Sequence, residues 1–172
     1  GGLLVMKISE VTNSVGTHSA GGYSKPKAGI IPYFADGTSL FFLSNNAAFG
    51  GTEPSIAKGR IDKDETPEEA AIREGFEEIG LKSSNFKGPV TLLWTGPLTG
   101  MGATYEMSVY AVEVKSKTDF AKAGKETGST KWLTLDEYKK EGRQSQWHIV
   151  KKISSLIKKK SDILSKLRAL VG

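Results

Sequence analysis

A helix is written into the stretch GRIDKDETPEEAAIREGFEEIGL, Gly59 to Leu81, more firmly than into any other part of the chain. Thr66 fits an N-cap, Pro67 the first helical position, and Glu69 the reciprocal partner of a capping box. Gly80 fits the C-terminal stop. Between these signals, Arg73-Glu74-Gly75-Phe76-Glu77-Glu78 crowds three carboxylates into five positions. Like charges at helical neighbour spacing repel. Such a cluster calls for a compensating cation, and for hard oxygen ligands that cation is most often Mg²⁺ or Mn²⁺. At about 100° per residue, Ile72, Phe76 and Ile79 lie within about 60° of one another, with Glu74, Glu77 and Glu78 on the opposite side. One face is expected to bury and the other to present carboxylates.

Around this helix the chain reads as mixed strands and helices. Leu4–Ile8 is a candidate strand, followed by polar and glycine-rich sequence through Gly22. The apolar runs Ala28–Phe34 and Ser39–Ser44 flank Ala35-Asp36-Gly37-Thr38, an Asp-Gly hairpin signal. Asn45–Pro54 reads as loop, and Ser55–Lys58 as a short strand leading into the motif. Beyond the helix, Val90–Thr95 is expected to be a strand. Gly96–Ala103, with three glycines and a proline, reads as a flexible loop, and Thr104–Val114 as a long strand. Trp132–Leu133 marks a last short strand, followed by a turn of helix at Leu135–Tyr138. Trp147, Val150, Ile153 and Ile157 recur at three- and four-residue spacing in Gln144–Ile157, a helix docking on the sheet. Ser161-Asp162 is placed to cap a further helix through Leu170. The fold class is α/β, a sandwich with helices on both sides of a mixed sheet.

Composition narrows the chemistry. The chain has 172 residues, 38% hydrophobic and 25% charged, in keeping with one globular domain. It has no cysteine, which excludes disulfides, thiolate catalysis and Cys-based metal sites. Two histidines, His18 and His148, make a His-rich metal site a poor expectation. No apolar run approaches the roughly 20 residues of a membrane span, and Leu3-Leu4-Val5-Met6 is too short for a signal core. Gly1-Gly2 reads as a remnant ahead of a native start at Met6, and a cytoplasmic address is the default. Lys139 to Gly172 carries ten Lys/Arg against two acidic residues, a balance of +8. A solvated amphipathic helix accounts for that. Nucleic-acid or anionic-surface affinity is the alternative, and it is not favoured because no aromatic residue interleaves with Lys158-Lys159-Lys160.

Gly59, Glu65 and Arg73-Glu74-Gly75-Phe76-Glu77-Glu78-Ile79-Gly80-Leu81 stand in a register that resembles the Nudix box. With the flanking hairpin, Trp132 and the terminal helix, the resemblance covers about Lys27 to Lys160. It implies a Nudix-type α/β/α sandwich over residues 25–160, with 1–24 an N-terminal segment and 161–172 a C-terminal helix or tail. It also implies a hydrolase that cleaves a nucleoside diphosphate linked to another moiety by attack of water on phosphorus. Glu74, Glu77 and Glu78, with the Gly59 carbonyl, would hold Mg²⁺ or Mn²⁺, while Glu65 and Arg73 would pair and fix the loop against the helix. One box position departs. Gly75 stands where a bulky aliphatic residue is usual, so the core is expected to lose a side chain that Phe76 would partly replace.

Lys58-Gly59 resembles the Pro-Lys-Gly of branches acting on dinucleoside polyphosphates, with Ala57 in place of the proline. Lys58 there would bind a phosphate as a point charge. Glu126 lies six residues before Trp132, where those branches place a Glu-His pair, with Thr127 here in place of the histidine. Glu126 is thus a candidate metal ligand or general base, and Glu74 is the other candidate base. The favoured substrate is a dinucleoside polyphosphate of the diadenosine tetraphosphate type. ADP-ribose, nucleotide sugars and RNA 5′ ends are alternatives within the class, and a non-catalytic nucleotide-binding module is the alternative outside it. The expected partner is a small nucleotide. Neither a membrane nor, by preference, a nucleic acid is expected, and a homodimer is left open. Asn45-Asn46, Tyr33, Phe34, Tyr105 and His148 are weaker candidates that read more simply as loop, core or surface.

Overall fold

The computed structural model describes residues 24–34, 39–49, 51–100 and 102–172. The candidate strand at Leu4–Ile8 and the Asp-Gly turn at 35–38 lie outside them. Six strands form one sheet: β1 (Lys27–Phe34), β2 (Leu40–Asn45), β3 (Ala57–Arg60), β4 (Thr91–Gly100), β5 (Ala103–Val114) and β6 (Thr127–Leu133). Their order is β4-β5-β1-β2-β6, with β3 paired to β1 beside β2. β1 and β5 run parallel, from Lys27 opposite Met107 to Phe34 opposite Val114, and the other pairings are antiparallel. The helices are α1 (Pro67–Ile79), α2 (Leu135–Glu141), α3 (Trp147–Val150) and α4 (Ile153–Val171).

The central strands bury both faces, which is why Ala28–Tyr33 reads as an unbroken apolar run rather than an alternation. Successive residues divide between two cores. Ile30, Phe41, Leu43 and Val112 face α1 at Ala70, Ala71 and Ile79. Ile31, Phe42, Val109 and Ala111 face Tyr138 of α2, Ile149 and Val150 of α3, and Ile153 of α4. This is the expected α/β/α sandwich with a mixed sheet.

Three local expectations are corrected. Gly96–Gly100 is strand, not loop, and continues β4 opposite Met107 to Ala103. β4 is an edge strand, the position in a sheet where a proline is tolerated, and Gly96 leaves room for the Trp94 ring, 2.7 Å from where a Cβ would stand. Ser161-Asp162 caps nothing, since α4 runs through it to Val171. The interruption falls earlier, at a tightened turn in which Lys152 N–H donates to Ile149 O. Phe76 is 54% exposed instead of lying on the inward face of α1. That face consists of Ala70, Ala71, Gly75 and Ile79, small residues that let the helix sit close to β1. A Cβ on Gly75 would stand 2.8 Å from Ile30 Cγ2 and 3.3 Å from Leu81 Cδ2. Ile30 and Leu81, not Phe76, occupy the space a larger residue would take.

Candidate active site

α1 is held at both ends by its own sequence. Thr66 Oγ1 accepts from Glu69 N–H at 3.1 Å, and Glu69 Oε1 accepts from Thr66 N–H at 2.9 Å, the capping box expected from sequence. Gly80 ends the helix in the left-handed region at φ 71°, and its N–H donates to Phe76 O. Gly80 is required twice over, because a Cβ there would overlap the backbone carbonyl of Ala121, whose N–H donates to Gly80 O.

Arg73 ties the preceding loop to the helix. Glu65 takes its fork in two hydrogen bonds, Nε to Oε2 at 2.8 Å and Nη2 to Oε1 at 3.0 Å. Glu65 Oε1 also accepts from Asp62 N–H at 2.9 Å. The guanidinium donates further to Arg60 O at 2.9 Å, to Glu74 Oε1 at 2.8 Å and to Glu77 Oε2 at 3.2 Å. These bonds hold the Glu65 carboxyl below its usual range, chiefly through Arg73, and raise the already basic guanidinium, chiefly through Glu65.

The three box carboxylates differ in environment. Glu74 packs onto Gly59, where a methyl group would overlap its carboxylate, so only glycine leaves room for it. Burial raises its pKa against the opposing pull of Arg73. Glu78 accepts from Lys58 N–H at 2.9 Å, and burial pushes its carboxyl up to about 7. Glu77 is about half exposed and touches Arg73 alone among the charged partners of the described residues. The loop before β6 closes over the end of α1. Thr127 Oγ1 donates to Glu78 O at 2.7 Å, a Cβ on Gly124 would collide with Glu77 O, and Glu126 O accepts from Asn46 N–H. The exposed Glu126 carboxylate adds its charge to the field that raises Glu78.

Cations stand beside these acids. Burial, followed by repulsion from Lys27 and Arg143, pushes the Lys58 ammonium down to about 8, while Glu78 and Glu74 pull it the other way. Lys27 lies 4.4 Å from the centroid of the Tyr105 ring. Lys27 and Arg143 were not among the sequence candidates. Lys27 joins the group through the β1–β3 register, which sets it opposite Arg60, and Arg143 through a fold-back whose N–H donates to Pro54 O. Gln146 was missed as well; its buried Oε1 accepts from Ile56 N–H at 2.9 Å and braces the entry to β3. Such contacts between distant segments leave no local trace.

The weaker candidates are structural. Tyr33 and Tyr105 are buried in the core. Phe34 is partly buried, with Lys117 above its ring. Asn46 Oδ1 accepts from Ala48 N–H, and Asn45 ends β2 at a register shift. His148 is exposed, edge-on to Trp94.

Among the described residues no three Asp, Glu or His side chains gather as a ready-made cage for one ion. Arg73 holds Glu74 and Glu77, and the Lys58 N–H holds Glu78. The donor chemistry nevertheless fits a hard divalent cation. Glu74 stands against Gly59 and Glu78 against the neighbouring Lys58 N–H, and burial raises both carboxyls, an environment that a bound cation would offset.

The family model for the NUDIX domain matches residues 24–153. The chain belongs to the Nudix family. The uncharacterized Nudix hydrolase orf19 of Rhodococcus erythropolis is 37% identical over 65 residues, which are 36% of this chain and 35% of that protein. The match thus spans about a third of that relative's length. The Ap4A hydrolase of C. elegans, in a binary complex, superposes with a TM-score of 0.64 at 19% identity, over 78% of this chain and 98% of the other. A Nudix hydrolase from M. smegmatis, RenU, gives 0.59 at 17% identity, over 77% and 87% of the two chains. A Nudix hydrolase from Nitrosomonas europaea gives 0.57 at 19%, over 75% and 86%. At these identities the solved structures establish a shared fold.

Proposed function

We propose that the chain is a divalent-metal-dependent pyrophosphohydrolase that cleaves a nucleoside diphosphate linked to another moiety, with a dinucleoside polyphosphate of the diadenosine tetraphosphate type as its substrate. The observation that supports this is the placement of Glu74 on Gly59 and of Glu78 on the Lys58 N–H of β3, with Arg73, clamped by Glu65, holding Glu74 and Glu77. Residues 25–160 would form the catalytic unit.

Glu74, Glu77, Glu78 and the Gly59 carbonyl would hold Mg²⁺ or Mn²⁺. Such an ion, when bound, neutralises diphosphate charge and lowers the pKa of a coordinated water. Arg73 holds Glu74 and Glu77 in position, and the Lys58 N–H orients Glu78. Lys58, flanked by Lys27 and Arg143, supplies positive charge for the phosphate chain. That cluster supports a substrate richer in phosphate than a simple diphosphate, and the C. elegans neighbour is an Ap4A hydrolase. Of the two candidate bases, Glu126 is favoured. Its carboxylate is exposed beside Glu78, whereas Glu74 is committed to Arg73 and packed on Gly59.

The test is a panel of diadenosine tetraphosphate, ADP-ribose, nucleotide sugars and 5′-triphosphorylated RNA, incubated with Mg²⁺ or Mn²⁺ and resolved by chromatography. Diadenosine tetraphosphate is expected to turn over fastest. Preference for another compound would move the substrate, and tight binding without turnover would establish a binding module instead. Replacing Glu126 by Gln is expected to lower kcat about 10²–10⁴-fold with KM little changed. An unchanged kcat would transfer the base to Glu74.

A further inference from the structure

The end of α1 is completed by a distant part of the chain. A helix leaves its last carbonyls without donors of its own. Here Leu81 N–H turns back to Gly75 O and Lys82 N–H goes to Asn85 Oδ1, so neither reaches the carbonyls of Glu77 and Glu78. The segment 121–127 meets this end instead. Ala121 N–H donates to Gly80 O at 2.8 Å, and Thr127 Oγ1 donates to Glu78 O at 2.7 Å. Between them Gly124 comes so close that a Cβ on it would overlap Glu77 O.

The same segment carries Glu126. Thr127 N–H donates to Gly124 O at 3.1 Å, closing a turn whose third residue is Glu126. Glu126 O accepts from Asn46 N–H at 3.0 Å, and Thr127 opens β6 opposite Asn45. Both ends of the turn therefore rest on α1, Gly124 against Glu77 and Thr127 on Glu78, while Glu126 between them is exposed. Glu78 O can only accept, so the contact requires a donor on a short side chain, and threonine supplies one in a form that also suits a strand. The resemblance marks Thr127 only as a departure from histidine; the structure gives its hydroxyl a partner in a residue of the box.

We propose that Thr127 is a positioning residue, whose hydroxyl straps the Gly124–Thr127 turn to the end of α1 and thereby sets Glu126 relative to the acids of that helix. The proposal rests on the reading of Glu126 as the general base. A cap that served the helix alone would contribute to stability and nothing else. This one joins the turn that carries Glu126 to the helix that carries Glu74, Glu77 and Glu78, so its loss leaves substrate contacts in place and lets the base drift. Catalysis is sensitive to such drift, since a displacement of about 1 Å can cost about a hundredfold in rate.

Thr127→Val, Thr127→Ser, Glu126→Gln and the Glu126→Gln/Thr127→Val pair test it. Kinetics use the compound of the panel that turns over fastest, with Mg²⁺, and amide hydrogen exchange is followed on the full chain. Thr127→Val keeps the shape of the side chain and removes its donor. It is expected to lower kcat about tenfold with KM within about twofold. Exchange of the Asn46 and Thr127 amides, both bonded within the strapped turn, is expected to quicken about tenfold. Thr127→Ser is expected to restore both. Added to Glu126→Gln, the valine is expected to cost less than about twofold more, because the group it positions is already gone. A lower Tm with unchanged kcat in Thr127→Val would overturn the proposal, leaving a structural cap. So would a full tenfold loss on top of Glu126→Gln, which would assign the hydroxyl to Glu78. A wild type that turns over nothing, or Glu126→Gln with full kcat, is the separate failure of the underlying reading and takes the positioning role with it.

Discussion

At the scale of single residues, the site depends on one cation serving several acids. Arg73 contacts Glu65, Glu74, Glu77 and the Arg60 carbonyl with a planar fork that lysine cannot reproduce. Arg73→Lys is therefore expected to lower stability by about 1.5–3 kcal/mol in chemical denaturation and to reduce turnover, because Glu74 and Glu77 lose their alignment. Unchanged stability would show that the fork is ornamental. Much of this was legible beforehand. Glu65, Arg73 and the three acids stand at fixed offsets along one loop and one helix, and local offsets survive folding. Lys27, Arg143 and Gln146 were not legible. Each joins the site through strand register or a distant fold-back, and nothing adjacent in the chain marks either.

At the scale of elements, α1 shows which signals can be read. Its ends were legible because Thr66, Pro67, Glu69 and Gly80 act on their own neighbours. Its inward face was misjudged because hydrophobicity favoured Phe76, whereas close packing on β1 favoured Gly75. The prediction follows from that distinction. If Gly75 left a void, a larger aliphatic residue would stabilise the protein. With Ile30 Cγ2 only 2.8 Å from a Cβ position, Gly75→Leu is instead expected to destabilise by about 1–3 kcal/mol through overpacking, seen as a lower Tm. β4 and α4 teach the same lesson. Glycine and proline read as loop in Gly96–Gly100 because the edge position that tolerates them is a property of the sheet. Ser161-Asp162 read as a cap because serine and aspartate favour caps, yet nothing at that point interrupts the helix.

At the scale of the molecule, the mixed sheet with α1 on one face and α2–α4 on the other delivers the box to the edge where β3 meets β1. No helix among the described residues is long and apolar enough to cross a membrane. Both cores are built of apolar side chains, and Glu74, Glu77 and Glu78 belong to neither. Chelation with EDTA is accordingly expected to abolish turnover while leaving the far-UV circular dichroism and the cooperativity of unfolding intact, and added Mg²⁺ or Mn²⁺ is expected to restore it. Unfolding on chelation would make the metal structural.

The most direct measurement is the rate of nucleotide release from diadenosine tetraphosphate with Mg²⁺, wild type against Glu77→Gln. Glu77 is half exposed and outside both cores, so its replacement spares the fold. Hydrolysis by the wild type with at least about a 10²-fold fall in the variant is the predicted result. Equal rates in the two proteins would contradict the assignment of these carboxylates to the chemistry.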